Sequence, residues 1–365
     1  MPDDRFDDPV FEDALFRRRR KHGKFQLVAP PRLERPTADT HAHVHLLPDP
    51  ALALAQCAVH NVAFVCDVID VCEDDPAVFE LFDGWRARAG ALAPGLLEAS
   101  CAVVVAGGDE KTGLPAGVPL DALLPAGEGA AATADVPGMP RVRLAVGCHP
   151  HNARLFDEAA EALLRRRLAD GRVCAVGEIG LDYHYDLSPR SAQREAFRRQ
   201  IRIAQEAGLP VVLHIREAHD EALAILRQEG FPEGGTLLHC FDLDWAALEP
   251  WLDAGCFVAL GGALTFGRCG DTRQAAARAP LGRLLTETDA PYMAPEPMRG
   301  MTCGPAHVLF VAARLAEVRG CAPGAQRAGL LDALAKNACG LLDRPPTPWQ
   351  RAHAASAGEG DAWSA

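Results

Sequence analysis

The fold class predicted from this sequence is α/β, built on a parallel sheet, and two observations predict it. Eight short apolar runs are spaced along the chain, and stretches with helical periodicity separate them. Polar residues of metal-ligand type also recur just after the apolar core of at least five of these runs. In closed parallel barrels, catalytic groups gather at that end of the strands. Run lengths alone leave an open sheet and a closed barrel equally available.

In chain order the runs are "ADTHAHVH", "NVAFVCDV", "VRLAVGCHP", "VCAVGEIGLD", "LPVVLHIR", "TLLHCFD", "CFVALGG" and "LLTETDAP". The stretch "SAQREAFRRQIRIAQEAG", residues 191–208, illustrates the intervening helices, with apolar positions at helical spacing and a glycine stop. "CAVVVAG", residues 101–107, reads as a further possible strand. Residues 1–36 read as a partly flexible extension containing the basic run "RRRRKHGK", residues 17–24. That run can be an arm for a nucleic-acid backbone, but a solvated charge run is the favoured reading. Residues 107–140 are dense in Gly, Pro and Ala and read as an insertion near the middle of the 37–345 barrel domain. Residues 346–365 read as a disordered tail.

Composition bounds the function. A chain of 365 residues with 48% hydrophobic content can bury a sizeable core. A net charge of −12 argues against a broadly basic, nucleic-acid-coating surface, while leaving room for a local basic groove. The 12 cysteines include no C-x-x-C pair, and several sit in apolar runs, as expected of free thiols in a reducing compartment. The start "MPDDRFDDPV" lacks the apolar segment of a secretory signal, and no run of 18 apolar residues occurs. A cytoplasmic, non-membrane protein is the expectation, and a monomer is compatible with it.

The chemistry begins in "DTHAHVH". On a strand His41, His43 and His45 share one face, where imidazole can serve as a neutral metal ligand. Glu178 and Asp182 follow the fourth run, His214 and Arg216 the fifth, His239 the sixth, and Glu287 and Asp289 the eighth. A single histidine after an apolar run would mean little, but five such strand ends are hard to assign to chance.

The segments "DTHAH", "VGCHPH", "VGEIGLDYH", "QREAFRRQIRIAQEAGLPVVLHIREA", "LHCF", "TETDAPYMAP" and "RG…PAHV", in this order, resemble the TatD-type metal-dependent deoxyribonucleases within the broader amidohydrolase-like barrels. The resemblance runs from residue 39 to about 343. It implies a distorted (β/α)8 TIM barrel of the metallo-dependent hydrolase type, with two divalent metal ions. His41, His43 and Asp289 would hold one ion and His214 and His239 the other, with Glu178 bridging. Asp289 would also accept a proton from the attacking water. His149 would contact substrate phosphate. Apart from the resemblance, Arg216 lies two residues past His214 and can share its face, where its planar fork suits a phosphate oxygen pair, with a surface salt bridge as the equal alternative. Imidazoles with carboxylates suit Zn, Mn or Ni, whereas oxygen-rich sites suit Mg, so Mg, Mn and Zn are all candidates.

The implied function is hydrolysis of phosphodiester bonds in nucleic acid, most simply single-stranded DNA cut from an end. A hydrolase of the same fold acting on a non-nucleic ester, amide or lactone is the alternative, and a metal-stabilised, non-enzymatic scaffold a third reading. Two departures stand out. His45 occupies a place where relatives usually have aspartate, and can orient a ligand, be a spare ligand, or simply line the barrel mouth. Cys303 and Gly304 stand where relatives usually carry Asn-Glu, and Cys303 lacks an evident base to act as a nucleophile. Asp182 reads as a hydrogen-bond partner of a ligand or as a helix cap.

Overall fold

The computed structural model describes residues 13–21, 24–105 and 138–354, with side chains of 101–105 left aside. A short antiparallel hairpin, β1 (Phe16–Arg19) with β2 (Phe25–Val28), precedes an eight-stranded sheet. Its strands are β3 (Thr37–Ala42), β4 (Val62–Asp70), β5 (Arg141–Gly147), β6 (Val173–Asp182), β7 (Val211–Arg216), β8 (Thr236–Leu238), β9 (Phe257–Leu260) and β10 (Leu284–Thr286). They neighbour one another in sequence order, and each ladder is parallel. The eight apolar runs are therefore the eight strands. Burial on both faces explains why they read as continuous apolar segments rather than as alternating ones.

The sheet closes between β10 and β3 by an unusual seam. Among the described residues only one isolated bridge, Ala42 to Ala290, joins the two segments as strands do. Threonine side chains complete the closure: Thr286 Oγ1 donates to Ala38 O (2.8 Å) and Thr40 Oγ1 to Thr286 O (3.0 Å). Thr288 donates its N–H and hydroxyl to Asp39, at 2.9 and 2.6 Å. The result is a closed (β/α)8 barrel.

The barrel interior is filled by alternate strand residues, among them Phe64, Cys66 and Val68 of β4, Val212, Leu237 and Leu285. Ala338, Leu341 and Leu342, from helix Ala325–Leu342, pack against this cluster. A second, larger apolar layer lies between the sheet and the surrounding helices. Local signals set the helix bounds. Asp49, Asp157 and Asp244 each accept a backbone N–H at a helix start, and Gly208 ends helix Arg190–Ala207 at φ +67°. No helix of the described residues is long and apolar enough to cross a membrane.

Three expectations change. Residues 101–105, read as a possible strand, are the last turns of helix Val78–Val105. Buried positions Phe82, Ala89, Ala93, Leu96 and Ser100 carry helical spacing up to the valines, and a short apolar run has no period of its own to contradict it. The tail expected to be disordered from 346 begins with a helix, Pro348–His353. "TPWQ" is a capping box: Thr347 Oγ1 accepts from Gln350 N, and Gln350 Oε1 accepts from Thr347 N. Gln350 Nε2 also donates to Leu168 O and Val173 O, at 3.0 and 2.9 Å, docking that helix on the barrel. Thirdly, the basic run is not wholly solvated. Arg17 lies in β1, is buried, and pairs with Asp13 Oδ1 at 2.7 Å. Residues 106–137, nearly all of the expected insertion, and residues 355–365 of the tail lie outside the described residues.

Candidate metal centre

Seven of the eight candidate side chains converge where the strands end. β6 carries the centre of the cluster, Glu178, inside "GEIG". Both flanking glycines are required by closeness to β7: a Cβ on Gly177 would lie 2.6 Å from Val212 Cβ, and one on Gly180 (φ +148°) 2.0 Å from His214 O. With those strands pressed together, Gly180 pairs with His214 and Asp182 with Arg216.

The two Glu178 oxygens face different imidazoles. Oε2 lies 3.5 Å from His41 Nε2 and 3.8 Å from His43 Nε2. Oε1 lies 2.7 Å from His214 Nδ1, 2.7 Å from His239 Nε2 and 3.8 Å from His149 Nε2. Asp289 Oδ1 stands 3.8 Å from His41 Nε2 and 3.7 Å from His43 Nε2. Asp289 sits at φ +60° just past β10, a backbone conformation that costs a non-glycine residue energy, and its N–H donates to His41 O at 2.9 Å.

Neighbouring groups turn the rings. His43 Nδ1 contacts Val68 O at 2.9 Å, leaving Nε2 toward Glu178 and Asp289. His214 Nε2 contacts Asp182 Oδ2 at 3.1 Å, leaving Nδ1 toward Glu178. His239 Nδ1 lies 3.5 Å from buried Glu287. An imidazole held by a carboxylate or carbonyl through one nitrogen, with the other turned inward, is the usual posture of a metal ligand.

Electrostatics match this arrangement. Burial works against charge on Glu178, yet His239, His41, His149 and His214 outweigh it and hold its carboxyl well below the usual range. Burial pushes Asp289 up, with His239, His41 and His43 pulling the other way. Burial lowers His149 well below the ordinary value, and repulsion from His214 adds to it.

The residues fit a metal. His41 is fully buried, and both its ring nitrogens lack a hydrogen-bond partner among the described residues. Such an orphaned polar group calls for a ligand. The triads His41–His43–Glu178, His41–His239–Asp289 and Glu178–His214–His239 each bring three donor atoms within 4.8 Å of one another. His43 and Asp289 keep 16% of their side chains exposed, so the cluster opens to solvent on that side.

Arg216 is not part of the cluster. It is exposed at the rim, its guanidinium 4.7 Å from the Tyr185 ring centroid. Tyr185 in turn meets the His151 ring at 5.5 Å. His45 also stands apart. It lies between Asp67 and Asp74, 3.0 Å from each, and although burial works against its charge, the two carboxylates push its pKa up to about 10. It is a buried cation, not a ligand of the cluster. Cys303 is buried, and burial pushes its thiol well up, which removes it as a nucleophile.

Sequence reasoning gave neither His151 nor Glu287 a role. His151 Nε2 shares Asp182 Oδ2 with His214, at 2.9 Å. "CHPH" and "TETD" held the signal: a second ligand-type residue two positions from the first.

The chain is similar to known metal-dependent hydrolases. The metal-dependent hydrolase YabD of Bacillus subtilis (strain 168) is 36% identical over 175 residues, which are 48% of this chain and 69% of that protein. The 3'-5' ssDNA/RNA exonuclease TatD of Klebsiella pneumoniae (strain 342) is 34% identical over 181 residues, 48% of this chain and 68% of that protein. Among solved structures, the TatD homolog YJJV of Escherichia coli K12 superposes with a TM-score of 0.61 at 24% identity, over 85% of this chain and 98% of that one. The family model for TatD related DNase matches residues 38–343, and the chain belongs to that family of metal-dependent hydrolases.

Proposed function

We propose that the protein hydrolyses phosphodiester bonds of single-stranded nucleic acid, most simply DNA from an end, using two divalent ions. The observation that carries this reading is the division of Glu178 between two imidazole groups, Oε2 toward His41 and His43 and Oε1 toward His214 and His239. His41, His43 and Asp289 would hold one ion, His214 and His239 the other, and Glu178 both. The exonuclease and nuclease names of two relatives, the Klebsiella pneumoniae protein and the human 3'-5' RNA nuclease TATDN2, support the substrate class.

Divalent ions held there would supply Lewis-acid stabilisation of phosphoryl charge and more acidic water. The protein's own groups do the rest. Asp289 accepts the proton of the attacking water, since one of its oxygens faces His41 and His43 and its side chain remains partly open to solvent. His149 lines the Glu178 side and contacts the scissile phosphate. Arg216, at the rim over Tyr185, holds a neighbouring phosphate, and the exposed face of Tyr185 suits base stacking. Four imidazoles favour Zn or Mn over Mg. The free thiols support a reducing, cytoplasmic setting.

The test is hydrolysis of end-labelled single-stranded DNA, RNA and simple esters and lactones by chelated and metal-restored protein. Stepwise shortening of an oligonucleotide, abolished by chelator and restored by Mg, Mn or Zn, is expected. Full activity with metal content measured as zero overturns the mechanism. Esters or lactones cleaved far faster than DNA establish the alternative, which the net charge of −12 keeps open.

A further inference from the structure

We propose that Cys72 and Cys148 form a reversible dithiol–disulfide pair, a thiol-modification site beside the metal centre. β4 and β5 run in register to Asp70 opposite Gly147, and Val71 N donates to Gly147 O at 2.8 Å. The cysteines follow at once, and their sulfurs lie 3.2 Å apart. Closing that gap to a disulfide of about 2.05 Å takes roughly 1.1 Å of sulfur movement.

The main chain around the pair is pinned. Cys72 N donates to Asp70 Oδ1 at 2.7 Å. Gln200 grips Cys148 from both sides, accepting from its N–H at 2.7 Å and donating to its carbonyl at 3.1 Å. The second Asp70 oxygen accepts from His149 N at 3.1 Å and from Asn152 Nδ2 at 2.9 Å. One carboxylate therefore ties Cys72 to the residue after Cys148, and that residue is His149.

Access is one-sided. Cys72 is half-buried, whereas Cys148 is 1% exposed. An oxidant reaches one sulfur and the protected one resolves the product. The other close pair among the described side chains, Cys66 and Cys174 at 3.9 Å, is buried on both sides inside the barrel. With Asp70 the two thiols also resemble a site for a thiophilic ion. Two thiolates on one tetrahedral zinc stand about 3.8 Å apart at Zn–S distances near 2.3 Å, farther than the 3.2 Å found here. Asp70 also already accepts three hydrogen bonds.

The oxidant is a hydroperoxide. The Cys72 thiolate attacks one peroxide oxygen, the O–O bond breaks, and the departing hydroxide takes up the thiol proton as water. The Cys148 sulfur then attacks the sulfenic sulfur of Cys72 and displaces its hydroxyl, which leaves with the Cys148 proton as a second water. Two thiols and one hydrogen peroxide give one disulfide and two waters. A dithiol reductant reverses this by two exchanges and is itself left as a disulfide.

The test treats the reduced whole protein with small excesses of hydrogen peroxide, alkylates remaining thiols and maps the peptides. Expected is paired loss of Cys72 and Cys148 as a linked peptide lacking two hydrogen atoms, restored by dithiothreitol, before the exposed Cys339 reacts. Cys72→Ser, with unchanged basal activity, should keep Cys148 alkylatable. Oxidation of Cys339 with both thiols intact, Cys72 stopping at sulfenic or sulfinic acid, or protection lifted by a chelator each overturns the pair. Oligonucleotide cleavage, which rests on the nuclease reading, should fall at least tenfold on oxidation and recover on reduction, because ångström-scale displacement of a catalytic group can cost about 10²-fold. A disulfide with unchanged cleavage overturns the link to His149, and the peptide map stands whether or not DNA is the substrate.

Discussion

Asp182→Asn tests how the centre holds His214. Asp182 Oδ2 lies 3.1 Å from His214 Nε2 and 2.9 Å from His151 Nε2, and Oδ1 accepts from the N–H groups of His184 and Tyr185 at 2.9 and 2.8 Å. Burial works against its charge, yet the bonds from His151 and His214 hold it below the usual carboxylate range, so it has no proton to give. All four partners must donate. Asparagine offers an oxygen on one side and an NH2 on the other, so either orientation sets a donor against two donors. If the NH2 faces the rings, His214 must accept at Nε2 and carry its proton on Nδ1, the atom 2.7 Å from Glu178 and the one needed for an ion. Losing the carboxylate behind a ligating histidine costs 10–100-fold in metal affinity, about 1.4–2.8 kcal/mol. The weakening should be confined to one of the two proposed ions, because the hydrogen bonds of Asp182 do not reach His41 or His43. Competition titration against a fluorescent zinc chelator, with stoichiometry from elemental analysis, reads both sites. Wild-type affinity at both, with wild-type turnover, refutes the argument.

Glu178→Ala removes the group shared by both halves of the cluster, and should lower bound metal below two equivalents and turnover by several orders of magnitude; two tightly held ions in the variant would exclude sharing. Asp289→Asn keeps a carbonyl oxygen but no useful base, so metal should largely remain while turnover falls by about 10²–10⁴-fold. Near-normal turnover with metal bound would move the base to another group. Stability should fall in acid. Burial lowers His60 and His307 to about 4, and both rings meet Phe16, at 4.6 and 5.0 Å. Above the unfolded value near 6.5 neither state is protonated and nothing is lost. As pH falls from 6.5 to 4, the unfolded chain takes up protons that the folded one refuses, at a cost approaching about 3 kcal/mol per histidine. His60→Gln should flatten the fall of the urea midpoint over that range, and a slope equal to wild type would count against it.

The eight strands were legible because each is buried on both faces and so reads as an apolar run. Closure was not, since β8, β9 and β10 have only three or four residues and the seam depends on threonine hydroxyls, which have no sequence period. The helix Pro348–His353 was hidden because its docking rests on one residue, Gln350, whose acceptors lie on the far side of the sequence. The candidate ligands stood out through strand-end position and resemblance. What turns them did not. That His45 belongs to Asp67 and Asp74, and that His151 shares Asp182 with His214, follows from register between strands rather than from any local pattern.

The threonine seam has a consequence for the order in which the chain becomes competent. Thr40 finds its partner 246 residues later, and Asp39 meets Thr288 after 249. During synthesis from the N-terminus, His41 and His43 emerge well before the carboxylate that faces them and the hydroxyls that fasten their strand. A nascent chain halted before Asp289 has an unfastened barrel and lacks one of the proposed ligands, so the proposed hydrolytic capacity waits for the eighth strand of the barrel rather than growing with the polypeptide.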